Sequence, residues 1–560
     1  MKRWIIPETN AGTVAMLCNQ LNIEPILAAV LAQRGIATEA AADRFFNPSI
    51  AYLHDPFLLR DMDVAVQRLN AAMQQDERIL LYGDYDVDGT TSVALLFAFL
   101  RSFYKNLDYY LPDRDKEGYG VSIAGVEYAR ETGCTLVIAM DCGIKAQAEV
   151  ALAASYGIDF IICDHHLPEG DLPAAVAILD PKRTDCPYPN KELSGCGITF
   201  KLAQAFALYH NTPAEELVGL LDFVALSIAC DIVPMDGENR ILAYHGLKKL
   251  NMAPRLGLWA LINKSGRNYP LNINDLVFGL GPLINAAGRL GDARDSVKLM
   301  LSTDRNSALE AAGHLLLRNK ERQQVDLSAT TSARLRAKAD HLDNGNKSIV
   351  LFDPSWHKGI IGITASRLSE DFHKPTVIIT ESEGRAVGSA RSVPGFDLYA
   401  ALHSCGDFFH SFGGHAHAAG FQMPLEKVAA FAEKFEMIVR QNMTDEAQQP
   451  IIDICGEIQF DQITPEFWQS LKRFEPFGPM NMNPIFAAYG VRDTGKSRRL
   501  DNKHVRLSLQ QGNTTFSAIG FGLADAFEKV KGRPFDIAFN LREEQWQGQT
   551  MVSLMVKDVR

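Results

Sequence analysis

The chain reads as an α/β protein: a parallel-sheet domain, a second α/β domain joined to it by one long helix, and a small C-terminal β-barrel. Three observations predict this. Strand-like apolar runs alternate with helical patterns from about residue 78 to 232. Residues 305–343 carry helix formers with no proline and no internal turn signal, which suits a spacer helix. Residues 451–560 break into short strands punctuated by turn residues, which suits a barrel.

Taken in order, residues 1–50 read as a small helical region and 51–304 as the first α/β domain. Within the latter, RILLYG precedes TTSVALLFAFLRSF, LDYYL precedes VSIAGVEYARE, and TLVIAM precedes AQAEVALAASYG; DFIIC, VAIL and two helices over 197–229 follow. The connecting helix is placed at 305–345 and the second α/β domain, glycine-rich near its end, at 346–445. TDEAQQP (444–450) reads as a linker, and 446–560 as a small barrel, which the resemblance given below makes an OB-type one.

A hydrophobic content of 47% with 22% charged residues is that of an ordinary soluble protein. The N-terminus has no apolar run of signal-peptide length, and the longest run, VALLFAFL, is too short to span a bilayer. The expectation is a cytoplasmic enzyme with no membrane partner. Nine cysteines without a CxxC pair suggest neither a zinc site nor a disulfide framework. The net charge of −11 argues against indiscriminate adhesion to nucleic acid, although a basic stretch, GKSRRLDNKHVR (495–506), is gathered locally. That stretch reads equally as a strand-binding face or a solvated hairpin.

The chemistry lies in acidic residues that close apolar, strand-like runs: Asp84, Asp86 and Asp88 in LLYGDYDVDGTTS, Asp141 in TLVIAMDCG, Asp164-His165-His166 in DFIICDHH, and Asp231 in LSIACDIVP. In an open parallel sheet the carboxyl ends of the strands share one edge, where ligands bind. Carboxylates gathered there repel one another unless a cation sits among them. Oxygen and imidazole donors suit Mn2+ or Mg2+, and Cys142 and Cys163 read as small buried residues. Two ions about 3.5–4 Å apart activate a water for in-line attack on phosphorus. Asp141 is the candidate bridging carboxylate, and His166 the group that holds or protonates a phosphate oxygen. Two rival motifs fare worse. DYDVDG opens like an EF-hand loop, but loop position twelve is Leu95 where a glutamate is needed. Asp86-Val87-Asp88-Gly89-Thr90 fits the DxDxT phosphatase pattern, with Asp86 as nucleophile, yet leaves Asp84, both histidines and Asp231 without work.

DYDVDG, MDCG, DHH and CDIVP together resemble the DHH phosphoesterase superfamily. WHKGIIGITASRL, GSARS and GGHAHAAG are similar to its associated second domain, and LKRFEPFGPMNMNPIF to the entry of a C-terminal oligonucleotide-binding barrel. The resemblance covers essentially the whole chain and implies a nuclease that degrades single-stranded DNA from the 5′ end. It places metal ligands on Asp84, Asp86, Asp88, Asp141, His165 and Asp231, with His166 beside the reacting phosphate. Recognition of a 5′-phosphate falls on Arg114, Ser389 and Arg391, and strand contacts on Arg289 and His357. His415 or His417, in a glycine-rich turn that lets backbone approach a phosphate, joins them, as do Phe516 and Trp546 if they are not core. A single-strand-binding protein, a helicase, and roles in repair and recombination are implied by the same likeness. The alternatives are a DHH phosphodiesterase of short oligonucleotides or cyclic dinucleotides, and a non-catalytic DNA-binding scaffold that has lost its metal ligands.

Overall fold

The computed structural model describes the backbone of residues 2–114, 116–339, 345–546 and 549–560, and their side chains except at 214, 290, 545, 546, 549 and 550. The chain divides into two compact units. One comprises Trp4–Gly288, Asp292–Leu315 and Asp453–Arg560; the other is built around Leu316–Ile452 and includes Arg289–Gly291.

The first unit holds a five-stranded parallel sheet in the order Leu107–Tyr110, Arg78–Gly83, Cys134–Met140, Asp159–Cys163, Ala177–Leu179. Numbered along the chain this is 2-1-3-4-5, the doubly wound order whose topological switch lies between the first and third strands. Past their first one or two residues the central strands are apolar and buried on both faces. The helix Val87–Arg101 follows the first strand and is itself buried over most of its surface. Its hydroxyl-rich start is accommodated by back-bonding: Thr90, Thr91 and Ser92 donate to the carbonyls of Asp86, Val87 and Asp88 at 2.6–2.7 Å.

The C-terminal strands of this unit close into a barrel. Phe486–Asp493 pairs with Phe535–Trp546, which pairs with Gln549–Val559. That strand runs parallel to Thr514–Gly520, which pairs with Val505–Gln511, and Arg492 and Asp493 close the ring against Gln510 and Leu509. The N-terminal helices do not form a core of their own. Leu17, Leu27, Leu31 and Phe46 share one apolar cluster with Phe467, Phe474, Phe486 and Phe539 of the barrel region.

The second unit carries a mixed sheet in the order Ser411–His415, Ala418–Met423, Arg385–Arg391, Thr376–Ser382, Ile349–Phe352, with only the last pair parallel. Helices Ile361–Phe372 and Val428–Asn442 cover it. The long helix is a single element, Arg305–Ala337.

Candidate metal centre

The register of the parallel sheet sets Gly83, Met140, Cys163 and Leu179 in one row. Asp84, Asp141, Asp164 and Asp180 are therefore each the first residue past that row. Asp84 and Asp141 stand on either side of the topological switch, where the crossover helices leave on opposite faces and open a crevice. Asp231 reaches the same place by a different route. The run LDFVALSIAC is a helix, Leu221–Cys230, and Asp231 is its C-cap. A helix buried on nearly every side lacks polar alternation, so its composition resembles a buried strand.

Donor atoms of Asp84, Asp86 and Asp141 lie within 4.8 Å of one another, as do those of Asp88, His165 and Asp231. His165 Nε2 is 3.2 Å from Asp141 Oδ1, 3.6 Å from Asp231 Oδ2 and 3.8 Å from Asp88 Oδ2, so the two groups of donors form one continuous cluster. Asp86 caps its own helix, accepting from the amides of Asp88 (2.8 Å) and Gly89 (3.2 Å). Asp88 is aimed by the start of the helix Gly195–Tyr209: its oxygens accept from the amides of Gly195 and Cys196 at 2.7 Å and from Ser227 Oγ at 2.6 Å. Asp164 is a support. It accepts from the amides of Ile144, His165 and His166, and from His166 Nδ1 at 2.7 Å.

The donor set fits divalent cations. Asp84 is fully buried, neither of its oxygens closes a hydrogen bond, and His165 Nδ1 is also buried without a partner. Such orphaned groups each cost about 1–3 kcal/mol unless something not made of protein satisfies them. Burial, and then repulsion from Asp86, holds the Asp84 carboxyl well above the usual range. Burial followed by repulsion from Asp88 does the same to Asp86, Asp141 and Asp231.

A pH dependence follows. Groups raised in the folded chain hold more protons than the unfolded chain does, so cation-free stability falls as pH climbs above the ordinary carboxylate value of about 4. A divalent ion replaces those protons, and its stabilisation therefore grows with pH. The cation-free melting temperature is expected to be lower at about pH 8 than at about pH 6. Mn2+ at a hundred times its Kd should add about 2.7 kcal/mol at the higher pH. A cation effect that is unchanged or larger in acid would contradict the cluster.

Two glycines make the cluster possible. A Cβ on Gly89 would meet the Asp84 carbonyl oxygen at 2.4 Å, and one on Gly195 would meet Asp141 Cβ at 2.7 Å. Asp141 is itself left-handed, with φ +60°. Gly195→Ala should displace Asp141 and cut turnover by about 10²-fold, the usual penalty of an ångström-scale misplacement, with the fold retained. Circular dichroism alongside kcat checks this.

The other sequence candidates fall in separate places. Arg114 lies over the Tyr85 ring at 5.4 Å, next to the ligands Asp84 and Asp86. In the second unit, Arg289 and His357 meet at Gly359: Arg289 donates to its carbonyl and its amide donates to His357 Nδ1, both at 3.0 Å. Gly362, at the start of the following helix, leaves room for Ser389 and Arg391. Arg391 donates to Ser389, Ser366 and the Ala390 carbonyl and has no carboxylate partner among the described residues. His415 and His417 sit exposed on the glycine hairpin paired to the Arg391 strand, and the His415 pKa is lowered by burial and then by His417 and Arg391. In the barrel, Phe516 packs edge-on against the core ring Phe460, and the Trp546 side chain lies outside the described residues. Arg499 and Arg506 of the basic stretch are paired with Asp525 and Glu544.

Two residues escaped sequence reading. Asp180 ends the fifth strand as the others end theirs; it is buried, with its pKa raised by burial to about 7. The VAIL strand before it was the available signal. Tyr119 places its hydroxyl 2.9 Å from His166 Nε2, and nothing but its place between two glycines marked it.

A caged, cation-seeking cluster on a doubly wound sheet, followed by a second α/β unit and a barrel, defines a metal-dependent phosphoesterase of the DHH type. Family models agree: DHH family, N-terminal domain, over residues 78–228; DHHA1 domain over 345–441; RecJ OB domain over 454–558. The single-stranded-DNA-specific exonuclease RecJ of Bacillus subtilis is 35% identical over 99% of this chain and 70% of its own length. The protein of the same name from Escherichia coli is 31% identical over 96% of each. The crystal structure of RecJ in complex with Mn2+ from Thermus thermophilus superposes with a TM-score of 0.86 at 26% identity, covering 100% of this chain and 79% of that one. This chain belongs to the RecJ family.

Proposed function

We propose that this protein is a metal-dependent exonuclease that removes nucleotides from the 5′ end of single-stranded DNA in the cytoplasm. The observation that carries the reading is the buried carboxylate cluster, with Asp84 wholly unpartnered, in a chain whose near-full-length relatives bear the name single-stranded-DNA-specific exonuclease. Two Mn2+ or Mg2+ ions there would supply Lewis-acid charge and a nucleophile at neutral pH. Asp84, Asp86, Asp88, Asp141, His165 and Asp231 hold them, with Asp141 central because its donors fall within reach of both ligand groups.

His166 is held by Asp164, and although burial alone would lower its pKa, that hydrogen bond pushes it up to about 9. Its role is to hold or protonate an oxygen of the scissile phosphate. No side chain becomes esterified. Ser389 and Arg391 are the candidates for the terminal phosphate, whose several oxygens suit forked guanidinium donors, and Arg114 is a candidate by family likeness. Arg289, His357, His415 and His417 contact the following backbone. By family likeness, the strand is delivered by a helicase and a single-strand-binding protein during repair and recombination.

The test is digestion of single strands labelled at either terminus, with and without a 5′-phosphate, in Mn2+ or Mg2+. Mononucleotides released first from the 5′ label, and faster with the phosphate, are expected. Release from the 3′ label, or activity confined to di- and trinucleotides, would refute it.

A further inference from the structure

His166 has two ring nitrogens, and each already has a partner. Nδ1 lies 2.7 Å from Asp164 Oδ1, and Nε2 lies 2.9 Å from the Tyr119 hydroxyl. That hydroxyl is also 3.2 Å from the backbone carbonyl of Asp141, a group that only accepts. The hydroxyl and Nε2 share one hydrogen bond, whose donor is set by the imidazole tautomer. Both edges of the ring are thereby fixed.

The loop bearing Tyr119 is built to hold it still. Gly118 and Gly120 flank it, both at φ +87°. Before it, Glu117 accepts from the Asp113 amide (2.7 Å), Tyr110 OH (2.9 Å) and Ser122 Oγ (2.5 Å). After it, Tyr82 OH donates to the Gly120 carbonyl (3.0 Å) and receives from the Ser122 amide (3.1 Å). The backbone is pinned on both sides, while Tyr119 itself is 53% exposed and meets the Tyr85 ring edge-on at 6.2 Å. An accessible phenol on a rigid loop, aimed at one imidazole, needs an explanation that packing does not give.

We propose that Tyr119 is a positioning residue: its hydroxyl holds the Nε2 edge of the His166 ring in the orientation used on the reacting phosphate, and gives up that hydrogen bond when the strand arrives. The proposal rests on the nuclease reading above for its kinetic consequence but not for its geometry.

Tyr119→Phe keeps the ring and removes the hydroxyl. On 5′-phosphorylated single strands it is expected to lower kcat about tenfold, part of the ~10²–10⁴-fold that a positioned acid contributes, and to leave KM within about twofold. The Mn2+-induced rise in melting temperature should be unchanged. The double variant Tyr119→Phe/His166→Ala should be no slower than His166→Ala alone, because the hydroxyl acts only through that ring. In 15N-histidine-labelled protein with Mg2+, the Nε2 resonance of His166 should shift in Tyr119→Phe, because that nitrogen loses its partner. Wild-type kcat in Tyr119→Phe overturns the proposal, as do a raised KM with kcat kept, or losses that add in the double variant. If the wild type cuts no DNA at all, the nuclease reading fails, and the resonance still decides where Tyr119 acts: an unshifted Nε2 signal in Tyr119→Phe overturns the placement.

Discussion

Asp141→Ala is expected to lower single-strand cleavage by more than about 10³-fold while leaving strand affinity within a few-fold of the wild type. The rate loss exceeds the ~10²–10³-fold typical of removing one electrostatic donor, because Asp141 serves both groups of metal-seeking side chains. His165 Nε2 would lose its nearest carboxylate, and the cage would lose the member that links its halves. Affinity survives because the proposed strand contacts Arg391, His415 and His417 belong to a different compact unit with its own core. The same substitution removes a carboxyl that burial and its neighbours hold above its usual range, so cation-free protein should melt no lower than the wild type, and the Mn2+-induced rise should shrink. Gel-shift affinity, single-turnover cleavage and thermal melts with and without Mn2+ measure the three effects separately. Undiminished cleavage would remove Asp141 from the site.

Arg240→Met is expected to cost about 3–5 kcal/mol of stability, the range for stripping one side from a buried charge network. Arg240 is 3% exposed in the first turn of helix Gly237–Met252, yet it has no carboxylate partner among the described residues. Its guanidinium instead donates to five carbonyls: Phe45, Arg473, Phe474, Glu475 and Pro476, at 2.9–3.3 Å. Residues 473–476 follow the helix Pro465–Lys472, so the cation sits where the helix dipole is negative. The Phe45 ring covers it at 3.8 Å. One side chain thus ties the catalytic α/β domain to the N-terminal helices and to the approach to the barrel. Methionine fills the volume but leaves those carbonyls dry and unpaired. Lysine restores the charge without the fork and should recover only part of the loss. Urea unfolding should show a lowered midpoint with an unchanged slope, and a shift under about 1 kcal/mol would contradict this account.

Much of the site was legible because strand-end positions are a local property. LLYGD, VIAMD and FIICD each carry their own evidence of a buried strand closed by an aspartate, and parallel pairing brings those ends together whatever the loops between them do. What aims the carboxylates was not legible. Asp88 depends on Gly195, Cys196 and Ser227, more than a hundred residues away, and no pattern around DVDG announces them. Arg240 was hidden for the opposite reason: a charged residue in a helix reads as solvated surface, and only the tertiary structure supplies its carbonyl partners. The N-terminal helices were visible as helices, but their sharing of the barrel core joins the two ends of the chain, beyond the reach of any sequence window. The run around Asp231 was misread as strand-like because complete burial erases the periodicity that separates helix from strand.

The central claim is that the acidic and imidazole cluster is a cage for divalent ions. Anomalous scattering from crystals soaked in Mn2+, recorded near the manganese edge, addresses it directly. The account predicts two peaks within coordination distance of Asp84, Asp86, Asp88, Asp141, His165 and Asp231, both lost in Asp141→Ala crystals. A pocket without anomalous density, in protein that still degrades single-stranded DNA, would contradict it.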